Sequence, residues 1–188
     1  MRSSFISRQN RILQLVTLLA LLATAMNRNA WAQAVPTATG PGPYVALGVT
    51  GALFKSNYGD RTVGGFGAYL DLNPHRDYGV EIEGQTLRYN QEAGSRLDTL
   101  LVGPRISHGT NGFVPYVKFL VGTGRWTAPY GFGVGNYLVL APGAGVDFSL
   151  NRKIRVRVLQ VEYQSWRDFT FGNLHPYGIS SGISIQIF

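Results

Sequence analysis

Leu159-Gln160-Val161-Glu162-Tyr163-Gln164 alternates apolar and polar side chains without a break, and Val80-Glu81-Ile82-Glu83 does the same. A period of two sends successive side chains to opposite faces of a β-strand. Along 116–121, Val117, Phe119 and Val121 share one parity while Tyr116, Lys118 and Leu120 share the other. A carboxylate turned toward hydrocarbon is costly, so in a membrane barrel the polar set must line the lumen. In a soluble barrel the same alternation is inverted, with apolar residues around a ligand. Periodicity alone does not choose between the two.

Eight segments of this kind follow one another: Tyr44–Phe54, Thr62–Leu72, Tyr78–Tyr89, Leu97–Ser107, Phe113–Trp126, Asn136–Leu150, Ile154–Trp166 and Tyr177–Phe188. Each has about the 9–11 residues of a tilted membrane strand, or slightly more. No stretch sustains the i, i+3, i+4, i+7 spacing of an amphipathic helix. The connectors alternate in character. Asn73-Pro74-His75-Arg76-Asp77, Gly109-Thr110-Asn111-Gly112 and Asn151-Arg152-Lys153 have the composition of tight turns. Lys55–Arg61, Asn90–Arg96, Thr127–Gly135 and Arg167–Pro176 are longer on the whole and richer in glycine and aromatics. An even strand number with short turns at one end and longer loops at the other predicts an all-β, eight-stranded, antiparallel up-and-down transmembrane barrel at 44–188. Aromatics near strand ends (Tyr44, Phe54, Tyr78, Tyr89, Trp126, Tyr137, Phe148, Trp166, Tyr177) are expected in interfacial girdles.

The amino-terminal stretch predicts export. Arg2, Arg8 and Arg11 precede an apolar core, Ile12–Ala23, and two small-x-small sites follow, Ala30-Trp31-Ala32 and Ala32-Gln33-Ala34. This is the three-part layout of a signal peptide (1–34), cleaved after Ala32 or Ala34, and its core is too short to span a bilayer. Residues 35–43 are a Pro/Gly linker without periodicity. Four of the 17 basic residues, Arg2, Arg8, Arg11 and Arg28, leave with the leader, so 13 remain against 10 acidic ones. The high isoelectric point therefore does not argue for nucleic-acid binding, and no basic stripe interleaved with aromatics remains. The absence of cysteine excludes a disulfide-stapled scaffold and a cysteine nucleophile.

Leu101-Val102-Gly103-Pro104-Arg105 with Phe113-Val114-Pro115-Tyr116-Val117, and Gly143–Asp147 with Ile154–Tyr163, carry a resemblance to a known group. The chain resembles the small OmpA/OmpX-like outer-membrane barrels of the "porin family" type over about residues 43–188. The resemblance implies residence in the outer membrane among lipid and lipopolysaccharide, with both termini periplasmic. It also implies periplasmic chaperones and insertion by the barrel-assembly machinery, with the carboxyl-terminal Phe188 as the signal. Upstream of it the pattern departs from the group, because Ile183, Ile185 and Ile187 fall on the parity opposite to Phe188. A bulge or an inward-turned Phe188 would account for that.

An eight-stranded barrel has an interior that side chains fill, so a wide pore is not expected. Glu81, Glu83, Arg105, Lys118 and Glu162 are the candidates for a charge network closing the lumen, since buried charges must be paired. The expected role is structural or surface interaction. A narrow porin-like channel for ions or small solutes is the alternative, and a soluble lipocalin-like carrier a further one. External loops expose Tyr130, Phe132, Phe169, Phe171 and Leu174, candidates either for a contact surface or for packing over the barrel mouth. No catalytic residue, metal site or cofactor is expected. His75 and His108 sit in turns, and His175 lies in a loop with Asp168 and near Ser165 at no spacing that forces a nucleophile–base contact. Gly131-Phe132-Gly133-Val134-Gly135 lacks the strand–helix context of a phosphate loop.

Overall fold

The computed structural model describes residues 43–57, 61–75, 77–89, 94–109, 112–131, 133–170 and 174–187. The expected leader, nearly all of the linker, and Phe188 lie outside the described residues.

The alternating segments form β1 (Tyr44–Ser56), β2 (Arg61–Asn73), β3 (Tyr78–Arg88), β4 (Arg96–Ser107), β5 (Phe113–Thr127), β6 (Val134–Ser149), β7 (Ile154–Tyr163), β8 (Ser165–Arg167) and β9 (Tyr177–Gln186). β7 and β8 are two parts of one stave, interrupted at Gln164, so the barrel has eight staves. Each stave pairs antiparallel with its chain neighbour, and β9 closes on β1 from Ala46↔Gln186 to Lys55↔Tyr177. Closure leaves no free sheet edge. The three short turns gather at one end of the barrel (the turn end) and the longer connections at the other (the loop end).

Parity sorts side chains as the sequence predicts. Leu47, Val49, Leu53, Phe66, Phe119, Ile183 and Ile185 are exposed on the outer wall, while Asp71, Glu81, Glu83, Arg105, Lys118 and Glu162 are buried inside. One irregularity matters. Between β6 and β7 the register passes from Val146↔Leu159 to Asp147↔Arg157, and between β7 and β9 from Arg157↔Gly182 to Gln160↔Ser180. Val158 is the extra residue of a β-bulge, and it and Leu159 both face outward. The phase therefore flips, and Arg155 and Arg157 point into the same lumen as Gln160, Glu162 and Gln164. β9 carries no such shift. Its even residues, Ser180 and Ser184, stay inside and Ile179, Ile183, Ile185 and Ile187 stay outside.

The expected aromatic girdles need correction. Tyr78, Phe113, Tyr163 and Tyr177 lie on the outer wall, but Tyr44, Phe54, Trp126 and Trp166 are buried in the lumen. Parity decides this rather than position along the strand, because Phe54 shares its face with Thr50 and Ala52, and Trp126 with Lys118 and Leu120. Close packing accommodates the rings. A Cβ on Gly124 would come within 2.6 Å of Trp166 Cζ3, so glycine is what lets the indole lie against the facing strand.

Candidate functional site

The lumen is built in two layers, and the sequence pattern of each stave determines which layer it supplies. Toward the turn end, every stave except the first and last contributes charge: Asp71 from β2, Glu81 and Glu83 from β3, Arg105 from β4, Lys118 from β5, Asp147 from β6, and Arg157 with Glu162 from β7. Arg105 donates from Nη1 to Asp71 Oδ2 at 2.8 Å and from Nη2 to Asp147 Oδ2 at 2.6 Å. Arg157 donates from Nη2 to Glu81 Oε2 at 3.0 Å, from Nε to Asp147 Oδ1 at 3.2 Å and from Nη1 to Gln160 Oε1 at 2.8 Å. Lys118 Nζ reaches Glu81 Oε1 at 2.8 Å, Glu162 Oε2 at 3.0 Å, and Glu83. Glu81 is thus shared by Lys118 and both arginines, with Arg105 Nε at 3.6 Å. Charge-assisted contacts of this kind are the strong class of hydrogen bond, and several partners per ion offset the desolvation that burial costs.

Tyrosines fix the arginines in place. The Arg105 guanidinium lies 4.0 Å from the Tyr116 ring centroid, and Arg157 lies 3.6 Å from that of Tyr69. Arg155 lies 4.0 Å over Tyr44, nearer the turn end, and reaches Gln186 at 3.4 Å. Planar cations stacked on aromatic faces are attracted by the ring quadrupole and hold a defined orientation.

A glutamine ladder joins this layer to the next. Tyr116 donates to Gln160 Oε1 at 2.8 Å, and Gln160 donates to Glu162 Oε2 at 3.2 Å. Gln164 donates to Glu162 Oε1 at 2.9 Å and to Gln85 Oε1 at 3.2 Å, and Trp166 Nε1 donates to Gln164 Oε1 at 3.1 Å. Beyond Trp166 the lumen is mainly apolar, with Ser56 and Thr99 as buried polar side chains. Phe54, Val63, Leu87, Leu97, Leu101, Leu120, Trp126, Val139, Trp166, Phe169 and Leu174 form one cluster. Trp126 meets Phe169 edge-on at 5.3 Å, and the Tyr137 ring packs 5.1 Å from Phe169. Burying each large side chain there stabilises by about 1.5–3 kcal/mol relative to a wet mouth.

All five charged residues singled out in the sequence meet in the lower layer. Asp71, Asp147 and Arg157 belong to the same network and were missed. The loop aromatics divide. Tyr130 is 79% exposed and adopts φ 57. Of the two readings open for Phe169 and Leu174, the structure shows packing over the barrel mouth: both fold inward to complete the apolar plug, and the Trp166 N–H donates to the Leu174 carbonyl at 3.0 Å. Phe132 and Phe171 lie outside the described residues.

The histidines lie apart from both layers. His75 stacks on Tyr78 in a turn, His108 lies 3.9 Å from Asp77, and His175 stacks on Tyr163. Among the described residues no His/Asp/Glu group has the arrangement of a metal site. A buried charged layer inside an apolar outer wall is the reverse of a lipocalin-like carrier, whose cavity is lined by apolar residues.

Solved structures share this fold, two of them as follows. The crystal structure of Neisserial surface protein A superposes with a TM-score of 0.58 at 14% identity, covering 77% of this chain and 97% of that one. Ail, the attachment invasion locus protein of Yersinia pestis, gives a TM-score of 0.52 at 15% identity, covering 79% of this chain and 100% of its own. No protein-family model matches the chain, and no curated protein does.

Proposed function

We propose that the chain is an integral outer-membrane β-barrel with a closed lumen, serving a structural or surface-interaction role rather than solute passage. Membrane residence accounts for an outer wall on which Phe66 is 75% exposed among Leu47, Val49, Ile183 and Ile185. In water such a wall would be a continuous apolar patch far larger than soluble proteins carry. Staves of 10 to 16 residues, the seventh continued by β8, suit a tilted crossing of the hydrocarbon core.

The observation that carries the closed lumen is that the charged layer and the apolar plug stand in series across it. An ion entering at the loop end would meet a buried apolar cluster, and one entering at the turn end would have to break paired charges. In this reading both termini are periplasmic, and the long loops face the exterior. Tyr130 then belongs to an outer contact surface for a partner. Delivery by periplasmic chaperones and insertion by the barrel-assembly machinery, with Phe188 as the signal, complete the proposal.

Cell fractionation with heat modifiability tests membrane residence. The protein is expected in the outer-membrane fraction, with unboiled samples migrating differently from boiled ones on a detergent gel. A protein soluble without detergent and showing no shift would overturn the proposal.

A further inference from the structure

The charged layer and the glutamine ladder meet on β3, at Glu83 and Gln85. Both side chains are buried, Gln85 at 5% exposure and Glu83 at 1%. Hydrogen-bond direction along the ladder is fixed from its indole end. An indole nitrogen only donates, so the Gln164 group facing Trp166 Nε1 at 3.1 Å is its carbonyl. The Gln164 amide nitrogen then donates to Glu162 Oε1 and to Gln85 Oε1, which uses both of its hydrogens. Gln85 therefore gives its oxygen to Gln164 and keeps its Nε2 for another acceptor. Among the described residues Nε2 meets none, and Glu83 Oε1, two residues back on the same face of β3, meets no donor.

Two hydroxyls share this position. Thr99 stands directly opposite Gln85 on β4, and Thr50 lies on β1 across Gly67 of β2. Thr50 Oγ1 and Thr99 Oγ1 are likewise buried without a hydrogen-bond partner among the described residues. A Cβ on Gly67 would come within 2.7 Å of Thr50 Oγ1 and 3.8 Å of Gln85 Cβ, so glycine keeps the space between the two strands clear. Alternate residues of a strand are roughly 7 Å apart, a spacing that one small molecule bridges when long side chains lean together.

The chemistry of the four groups selects the occupant. Buried donors and acceptors left unpaired carry their full desolvation cost. A metal cation would satisfy Glu83 but not the N–H groups of Gln85, and an anion would do the reverse. Water accepts and donates at once, and a buried water commonly makes about three hydrogen bonds to groups of this kind.

We propose that Glu83, Gln85, Thr50 and Thr99 form a binding site for an internal water molecule at the joint between the two lumen layers. The water accepts from Gln85 Nε2 and donates to Glu83 Oε1, and the two hydroxyls complete its shell. It makes one continuous hydrogen-bonded path from the Trp166 indole through Gln164, Gln85 and Glu83 to Lys118. The inference rests on the closed-lumen reading and deepens it, because the plug and the charged layer are then tied together rather than merely stacked.

A high-resolution crystal structure of the full-length protein refolded in detergent tests the site. An isolated density peak is expected within about 2.7–3.2 Å of both Gln85 Nε2 and Glu83 Oε1. In Gln85→Met the peak is expected to be lost, while the Trp166–Gln164 hydrogen bond remains. Direct bonding of Gln85 Nε2 to Glu83 or to another protein atom overturns the site, as does a peak that persists in the variant. Contacts near about 2.4 Å would mark a cation and overturn it as well. If the variant does not fold, the density in the parent decides. Peaks running unbroken from the joint to either mouth would instead sink the closed lumen on which the site depends.

Discussion

Arg157→Met is expected to destabilise the folded barrel by about 3–5 kcal/mol, the cost of removing one member of a buried ion network. Methionine fills much of the same volume, so the loss isolates charge rather than packing. Arg157 is fully buried and bonds to Glu81, Asp147 and Gln160 while stacking on Tyr69. Five carboxylates (Asp71, Glu81, Glu83, Asp147, Glu162) surround three cations (Arg105, Lys118, Arg157) in the layer. Removing a cation deepens that imbalance, whereas removing a carboxylate relieves it. Glu83→Gln, which touches the network through Lys118, is therefore expected to cost much less, within about 1 kcal/mol. Urea titration of the folded fraction in vesicles, read by the gel shift, compares the two. Equal midpoints for Arg157→Met and the parent would mean that the network does not hold the lumen.

The second large effect lies in the apolar layer. Trp166→Ala removes the ring that rests against Gly124, packs beside Tyr137 and donates to Gln164. Truncating a large buried aromatic costs about 3–5 kcal/mol, the value depending on how far the site collapses. Collapse is restricted here because Trp166 sits on β8, whose three residues pair with Leu138, Val139 and Leu140 of a continuous stave. The damage is expected to be local. Amide exchange should accelerate at Ser165–Arg167 and Leu174, while β3 and β4 at the turn end stay protected. Uniform acceleration through all staves would contradict a plug that forms a separate layer.

These layers were unequally legible in the sequence. Strand positions, connector lengths and the inward parity of Glu81, Glu83, Arg105, Lys118 and Glu162 follow from a period of two. Arg155 and Arg157 were hidden by the bulge at Val158, since a strict alternation from Leu159 backwards turns both outward. The consecutive apolar pair Val158-Leu159 was the available sign that the phase breaks there. Asp147 was obscured by small residues in Pro142-Gly143-Ala144-Gly145, which blur the two faces of β6. Asp71 lies close to a turn, where an acid is ordinarily solvated. The excess of glutamates over cations among the residues chosen was a sign that further arginine belonged inside. Phe169 could not be placed from sequence, because whether a loop ring covers the mouth or leaves it depends on packing against Trp126 and Tyr137.

The direct test of a closed lumen is single-channel recording of the refolded full-length protein in a planar lipid bilayer. The two layers in series predict bilayers with folded protein inserted, verified by heat modifiability, and no steady unitary conductance in salt. A stable conductance step that scales with salt concentration and disappears on unfolding would contradict the account and establish a narrow channel instead.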